Sequence, residues 1–168
     1  METFTAVLYS GLPDGAQLLR VGLRLLAAIV VGTLIGLQRE RSGKAAGLRT
    51  HMLVALGTTL FVVSALESGM ASDPISRVIQ GLITGIGFLG AGTIMKIERA
   101  RVIHGLTTAA GIWMTAAVSI TIGLGQIGIG LIAGVLAWVV LAVVDRFEVH
   151  PHGRGIDAHG RPDSSDGR

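Results

Sequence analysis

Apolar residues in this chain gather into five long blocks parted by short polar stretches, and block length decides what they are. The blocks run from about Leu18 to Leu37, Thr50 to Leu66, Val78 to Met95, Leu106 to Leu124 and Ile127 to Val144. Crossing the hydrocarbon core of a bilayer takes roughly 17–25 apolar residues of helix, at about 1.5 Å of rise each. Every block meets that length with little to spare, so the pattern predicts a bundle of about five short transmembrane helices with little tilt. The expected fold class is all-α integral membrane. Residues 1–17 read as an external N-terminal segment, 18–144 as the membrane domain, and 145–168 as a disordered cytoplasmic tail.

The early part of the first block carries two arginines ahead of an apolar run, as a signal peptide would. Yet Arg20 and Arg24 lie some twenty residues into the chain, and the apolar run ends in Gln38-Arg39-Glu40-Arg41 with no small-residue cleavage site. An uncleaved span is the better reading. Basic residues then set the orientation. With the N-terminus outside, the inner side holds Arg39, Arg41, Lys44, Arg49, Lys96, Arg99, Arg101, Arg146, Arg154, Arg161 and Arg168. The outer side keeps only Arg20, Arg24 and Arg77.

Composition sharpens this picture. Half of the 168 residues are hydrophobic and 15% are charged, where a soluble domain carries about a quarter charged. The pI near 10.2 invites nucleic acid, but aromatic residues are few and the basic residues sit between apolar spans. They serve membrane topology, and no nucleic-acid partner is expected. The absence of cysteine removes disulfide and thiolate chemistry. In the tail, His150, His152 and His159 lack a fixed partner element and read as solvated rather than as a metal site. A segment so poor in apolar residues cannot fold alone.

Gly85-Ile86-Gly87-Phe88-Leu89-Gly90 matches the dinucleotide fingerprint letter for letter. That motif needs a preceding strand and an acid about twenty residues on. Here it lies inside an apolar span with Glu98 only eight residues away, so the match is a coincidence. The glycine density at Gly81, Gly85, Gly87, Gly90 and Gly92 still calls for a reason, because glycine weakens a helix by up to about 1 kcal/mol in water. In a bilayer, small residues let helix backbones approach. Gly32-x-x-x-Gly36, Gly81-x-x-x-Gly85 and Gly130-x-x-x-Gly134 all carry the spacing. The alternative is a span broken near Gly87–Gly92, baring carbonyls inside the bundle.

The polar loops carry the remaining chemistry. Gln38–Thr50 is longer and more charged than a connector needs. Glu40, between Arg39 and Arg41, is expected to pair with them, while Arg49 at the mouth of the second span can reach lipid phosphates. Lys96 to Gly105 repeats the charge pattern. Thr107 and Thr108 can cap the fourth span or bond back to its carbonyls, and Trp113 and Trp138 read as packing. No Asp or Glu lies within any span, which weakens an ion path without removing it, since carbonyls can line one. No nucleophile–base arrangement or metal-hydrolase motif is present, so no enzyme is expected.

In three ordered stretches the sequence resembles the MgtC/SapB membrane proteins of bacteria. They are Ile35-Gly36-Leu37 through Arg39-Glu40-Arg41 to Ala46–Gly57, then Gly81–Met95, then His104–Val118, together spanning about residues 32–125. The resemblance implies a multi-pass inner-membrane protein with an external N-terminus and a link to growth in low magnesium. Family members have been described as magnesium-transport accessories and as regulators that bind other membrane proteins. The family-pattern residues are Arg39, Glu40, Gly47, Arg49 and Thr50, then Gly85, Gly87, Phe88, Gly90 and Gly92, then Gly105, Thr107, Thr108, Ala109 and Trp113. This chain has a short tail where some members carry a folded cytoplasmic domain resembling ACT domains.

The expected function is therefore a non-enzymatic inner-membrane protein of Mg²⁺ homeostasis or low-magnesium stress adaptation. It would sit in the lipid bilayer and bind a membrane-protein partner or itself. It would need no cofactor, with Mg²⁺ as the ion sensed or transported. The alternative is an oligomeric transporter or channel for Mg²⁺ or another cation.

Overall fold

The structure, a computed structural model, describes residues 14–97 and 102–147. The chain forms five helices: α1 Gly15–Arg41, α2 Leu48–Glu67, α3 Ser72–Gly92, α4 Leu106–Gly123 and α5 Ile127–Phe147. The first four are long and apolar enough to cross a bilayer, and α5 counts 21 residues. An antiparallel hairpin, β1 Met95–Ile97 and β2 Val102–His104, joins α3 to α4 with Met95 opposite His104.

The apolar blocks mark where the helices are; polar chemistry marks where they end. Helix α1 starts ahead of its apolar run because Asp14 caps it, accepting from the Gln17 N–H, which satisfies one of the unpaired donors of a helix start. Helix α3 begins six residues before the expected Val78. Its first turn holds Asp73 and Pro74, residues that suit a helix start and lower local hydropathy. It runs unbroken through Gly85, Gly87 and Gly90 to Gly92, so the span is not interrupted within that stretch. The expected loop at 96–105 is largely the hairpin. Helix α5 continues to Phe147, three residues into the segment expected to be disordered. The remainder of that tail with its histidines, and residues 1–13, lie outside the described residues.

Helix α4 is the centre of the bundle and packs against all four other helices. The core joins α1, α2, α4 and α5 through Ala28, Val31, Ile35, Ala55, Val118, Ile122 and Ala137. Lipid tails are as apolar as these side chains, so association rests on close packing rather than on removal from water. Glycine supplies the closeness. A Cβ at Gly36 would lie 2.8 Å from Leu48 Cα, and one at Gly32 the same distance from the His51 carbonyl oxygen. Gly134 meets Val31 and Gly130 meets Ile122 in the same manner. The outer surface carries Leu53, Phe61 and Ile132, each more than half exposed. Such a surface suits contact with lipid and would be a liability in water.

Candidate functional site

The end of the bundle where α1 turns into α2 concentrates polar chemistry. Helix α2 starts at Gly47, which has no side chain to cap it. Glu40 does the work from the preceding helix: its Oε2 accepts from the Leu48 N–H at 2.8 Å. A carboxylate there also meets the positive end of the α2 dipole. Gly47 has to be glycine for this contact, since a Cβ would stand 2.7 Å from that same oxygen. Among the described residues, then, Glu40 meets backbone rather than the flanking arginines expected to pair with it. Glu40→Ala is expected to cost about 1 kcal/mol, the usual worth of a cap, and Glu40→Gln less, because an amide oxygen still accepts. Unfolding in a series of detergent–dodecyl sulfate mixtures measures both.

One residue back, Arg39 points inward and is 1% exposed. Its Nε–H donates to Gln38 Oε1 at 2.7 Å, and Gln38 in turn donates from Nε2 to the Leu141 carbonyl at 3.3 Å. Thus α1 and α5 are bridged at this level. A charge held inside a membrane bundle is expensive and marks a functional site by default. Beside it lies His51, on the first turn of α2 and fully buried. Its Nδ1 is 3.0 Å from the Gly47 carbonyl. A carbonyl only accepts, so Nδ1 carries a proton and the ring is fixed in place. Nε2 then faces Gly111 of α4, where a Cβ would lie 3.5 Å from it and 3.8 Å from Arg39 Cδ. That nitrogen is buried and has no hydrogen-bond partner among the described residues.

From this cluster a polar seam runs along α2 and α4. Thr58, Thr59, Thr108, Thr115 and Ser119 are all buried. Thr115 bonds back to the Gly111 carbonyl at 2.9 Å, and Thr59 donates across the interface to the Ser119 carbonyl at 3.0 Å. The Ser119 hydroxyl has no partner among the described residues. At the far end Arg24 donates to the Gly123 carbonyl at 3.1 Å. The α2–α4 seam is therefore polar along much of its length, with the buried Arg39 at one end of the bundle and the half-buried Arg24 at the other.

A second candidate surface lies on α3. A Cβ at Gly81, Gly85, Gly87 or Gly92 would meet nothing within 4 Å. The Gly81-x-x-x-Gly85 spacing, read as packing, is not filled as its counterparts in α1 and α5 are: both glycines line an open apolar groove against Leu53, Gly57 and Phe61 of α2, with nothing at contact distance. Phe88 is 80% exposed on the same helix. Gly90 differs: it is buried, and a Cβ there would lie 3.6 Å from the Ala109 Cβ.

The family-pattern residues therefore divide. Arg39, Glu40 and Gly47 come together at the α1–α2 turn and Thr108 is buried on α4, whereas Arg49, Thr50 and Thr107 are exposed. Gly85, Gly87, Phe88 and Gly92 share the open helix, Gly90 meets Ala109, and Trp113 is half-exposed beside α3 in a small cavity with Ile83 and Ile86. Neither threonine caps α4; its N-cap is Gly105, with no side-chain bond. Sequence reasoning missed His51, Gln38, Gly111, Thr59 and Ser119. The available signal for His51 was an imidazole inside an apolar span four residues after a glycine. Among the described residues no three His, Cys, Asp or Glu side chains come together as metal ligands would.

Comparison with known proteins adds a relationship. The model of a family described as the MgtC family matches residues 25–150. The chain is 42% identical over 149 residues to SrpB of Synechococcus elongatus, covering 82% of this chain and 81% of that one. It is 43% identical over 128 residues to YhiD of Escherichia coli strain K12, whose name describes a candidate magnesium transporter, and 40% identical over 114 residues to MgtC of Salmonella typhimurium. These two matches cover 71% and 68% of this chain but 57% and 48% of the relatives. No solved structure matches.

Proposed function

Because the chain belongs to the MgtC family, a family of multi-pass bacterial membrane proteins, we propose that it serves magnesium homeostasis or low-magnesium adaptation without catalysing a reaction. It acts by binding a membrane-protein partner, or a second copy of itself, along the open face of α3. One observation carries this reading. The spaced pairs Gly32 and Gly36 of α1 and Gly130 and Gly134 of α5 are filled by neighbouring helices, while Gly81, Gly85 and Gly92, which share one face of α3, meet nothing within 4 Å. Small residues cost helix stability and repay it only where another backbone comes close. The N-terminus is placed outside by the charge count, which puts Arg39, Glu40 and the hairpin on the cytoplasmic side.

The test separates fold from contact. Gly81→Leu and Gly85→Leu, on the same face of α3, meet no neighbour within the chain, so we expect each variant to insert and resist detergent like the unaltered protein. Both should lose cross-linked complexes in membranes and growth support in low Mg²⁺. Intact complexes and growth would sink the reading. A second reading, passage of Mg²⁺ or another cation through an oligomer, is favoured by the description of YhiD. Arg24 and Arg39 at the two ends of the interior oppose a cation there, so such a path would have to run between copies, along α3. Flux into proteoliposomes, with Gly85→Leu as control, distinguishes the two.

A further inference from the structure

On the opposite side of the bundle, α1 and α5 enclose a groove of about 480 Å³ whose two ends differ in chemistry. Its walls are mainly apolar, formed by Val30, Leu34 and Leu37 of α1 and by Trp138 of α5, with Thr33 the one hydroxyl among them. Its mouth is polar, formed by Gln38, Arg41 and Ser42. The Gln38 bridge to the Leu141 carbonyl fixes the register of the two helices. Trp138 therefore sits one turn deeper than the mouth. From Val30 to Arg41 is eleven residues, or about 16 Å along the helix. Ser42 accepts from Gln38 Nε2 at 3.2 Å, which holds its hydroxyl at the rim. Arg41 is exposed, and among the described residues no carboxylate pairs with it.

We propose that this groove binds an anionic phospholipid, its phosphate held at Arg41 beside Ser42 and one acyl chain laid against Leu34, Leu37 and Trp138. The guanidinium is a planar donor fork that matches phosphate oxygens two at a time. It stands at the boundary where an apolar wall gives way to polar groups, which is the depth of a headgroup. The same end of the bundle carries Arg39, Lys44 and Arg49 against the single carboxylate of Glu40, so the net local field is positive and selects anionic over zwitterionic lipid. A lipid explains both ends of the groove at once: a soluble anion has no use for the apolar wall, and a packed helix has none for the exposed arginine. This site is independent of the α3 face and of the magnesium reading.

Trp138 lines the groove and reports its occupancy. With Trp113→Phe it becomes the sole tryptophan of the full chain. The protein is reconstituted in phosphatidylcholine vesicles containing a small fraction of either dibrominated phosphatidylglycerol or dibrominated phosphatidylcholine, both of which quench indole fluorescence on contact. We expect half-quenching at about fivefold less brominated phosphatidylglycerol than phosphatidylcholine. Arg41→Gln should remove the difference, Arg41→Lys should keep part of it, and helical content should be unchanged in both. In the unaltered arginine protein the preference should also fall as salt rises, which tests the proposal even where a variant folds poorly. Equal quenching by the two lipids, or a preference indifferent to salt, would overturn it. So would the absence of quenching by either lipid, which would mean that residues 148–168 or a second copy fills the groove; deletion of those residues would tell the two apart.

Discussion

Gly105→Ala is expected to yield almost no folded protein. Gly105 is the N-cap of α4 and holds φ at +94°, a conformation that L residues rarely adopt. The left-handed region alone costs a non-glycine residue about 1–2 kcal/mol. Here a second penalty adds to it, because a Cβ would be driven into the carbonyl oxygen of Thr93. Backbone cannot swing aside as the end of a flexible side chain can. Relief would have to shift either the close of α3 or the start of α4, the helix on which the other four pack. Folded yield after purification in mild detergent, read by size-exclusion profile, checks this; a normal profile would mean that the α3–α4 connection is far softer than its geometry indicates.

Gly36→Leu should be nearly as damaging, and for a different reason. Its conformation is ordinary helix, but the space beside it is taken by Leu48 Cα and the His51 Cβ. Four added carbons would prise α1 from α2 and move Glu40 away from the Leu48 N–H and Arg39 away from His51. We expect unfolding at a dodecyl sulfate fraction well below that of the unaltered protein, by about 3 kcal/mol if the cost matches severe overpacking in a soluble core. Gly85→Leu in the same assay provides the contrast, since the same substitution at the same spacing meets no neighbour within the chain. Equal losses at Gly36 and Gly85 would contradict the separation of filled from open glycine faces.

That separation also marks how far the sequence could be read. Five apolar blocks set the number and order of the helices, because length against bilayer thickness is a property of each segment alone. Boundaries were less legible: Asp14, Asp73 and Pro74 are polar or helix-breaking in a hydropathy sum yet favourable at a helix start. The site was harder still. Gly32 and Gly81 are the same residue at the head of the same spacing, and only the path of neighbouring helices decides that one is filled and the other is not. Glu40 between two arginines looks like an ion pair; its engagement with the Leu48 N–H depends on a turn of six residues that brings α2 back over the end of α1. His51 looks like one polar residue in an apolar run until Gly111, sixty positions later, closes over it.

The central place of α4 bears on how the protein is made. Its residues are the fourth span to leave the ribosome, yet they complete the surroundings of Arg39 and His51, which belong to the first and second. Helices α1 and α2 have a tight contact of their own through Gly32 and Gly36, so they can associate as soon as both are in the bilayer. Until α4 arrives, the inward side of that pair presents a guanidinium, an imidazole and two threonines to lipid or to the insertion machinery. A chain stalled or cut in the hairpin would be left in that state, a natural substrate for membrane quality control, and the arrival of α4 is the step that turns an inserted chain into a finished one.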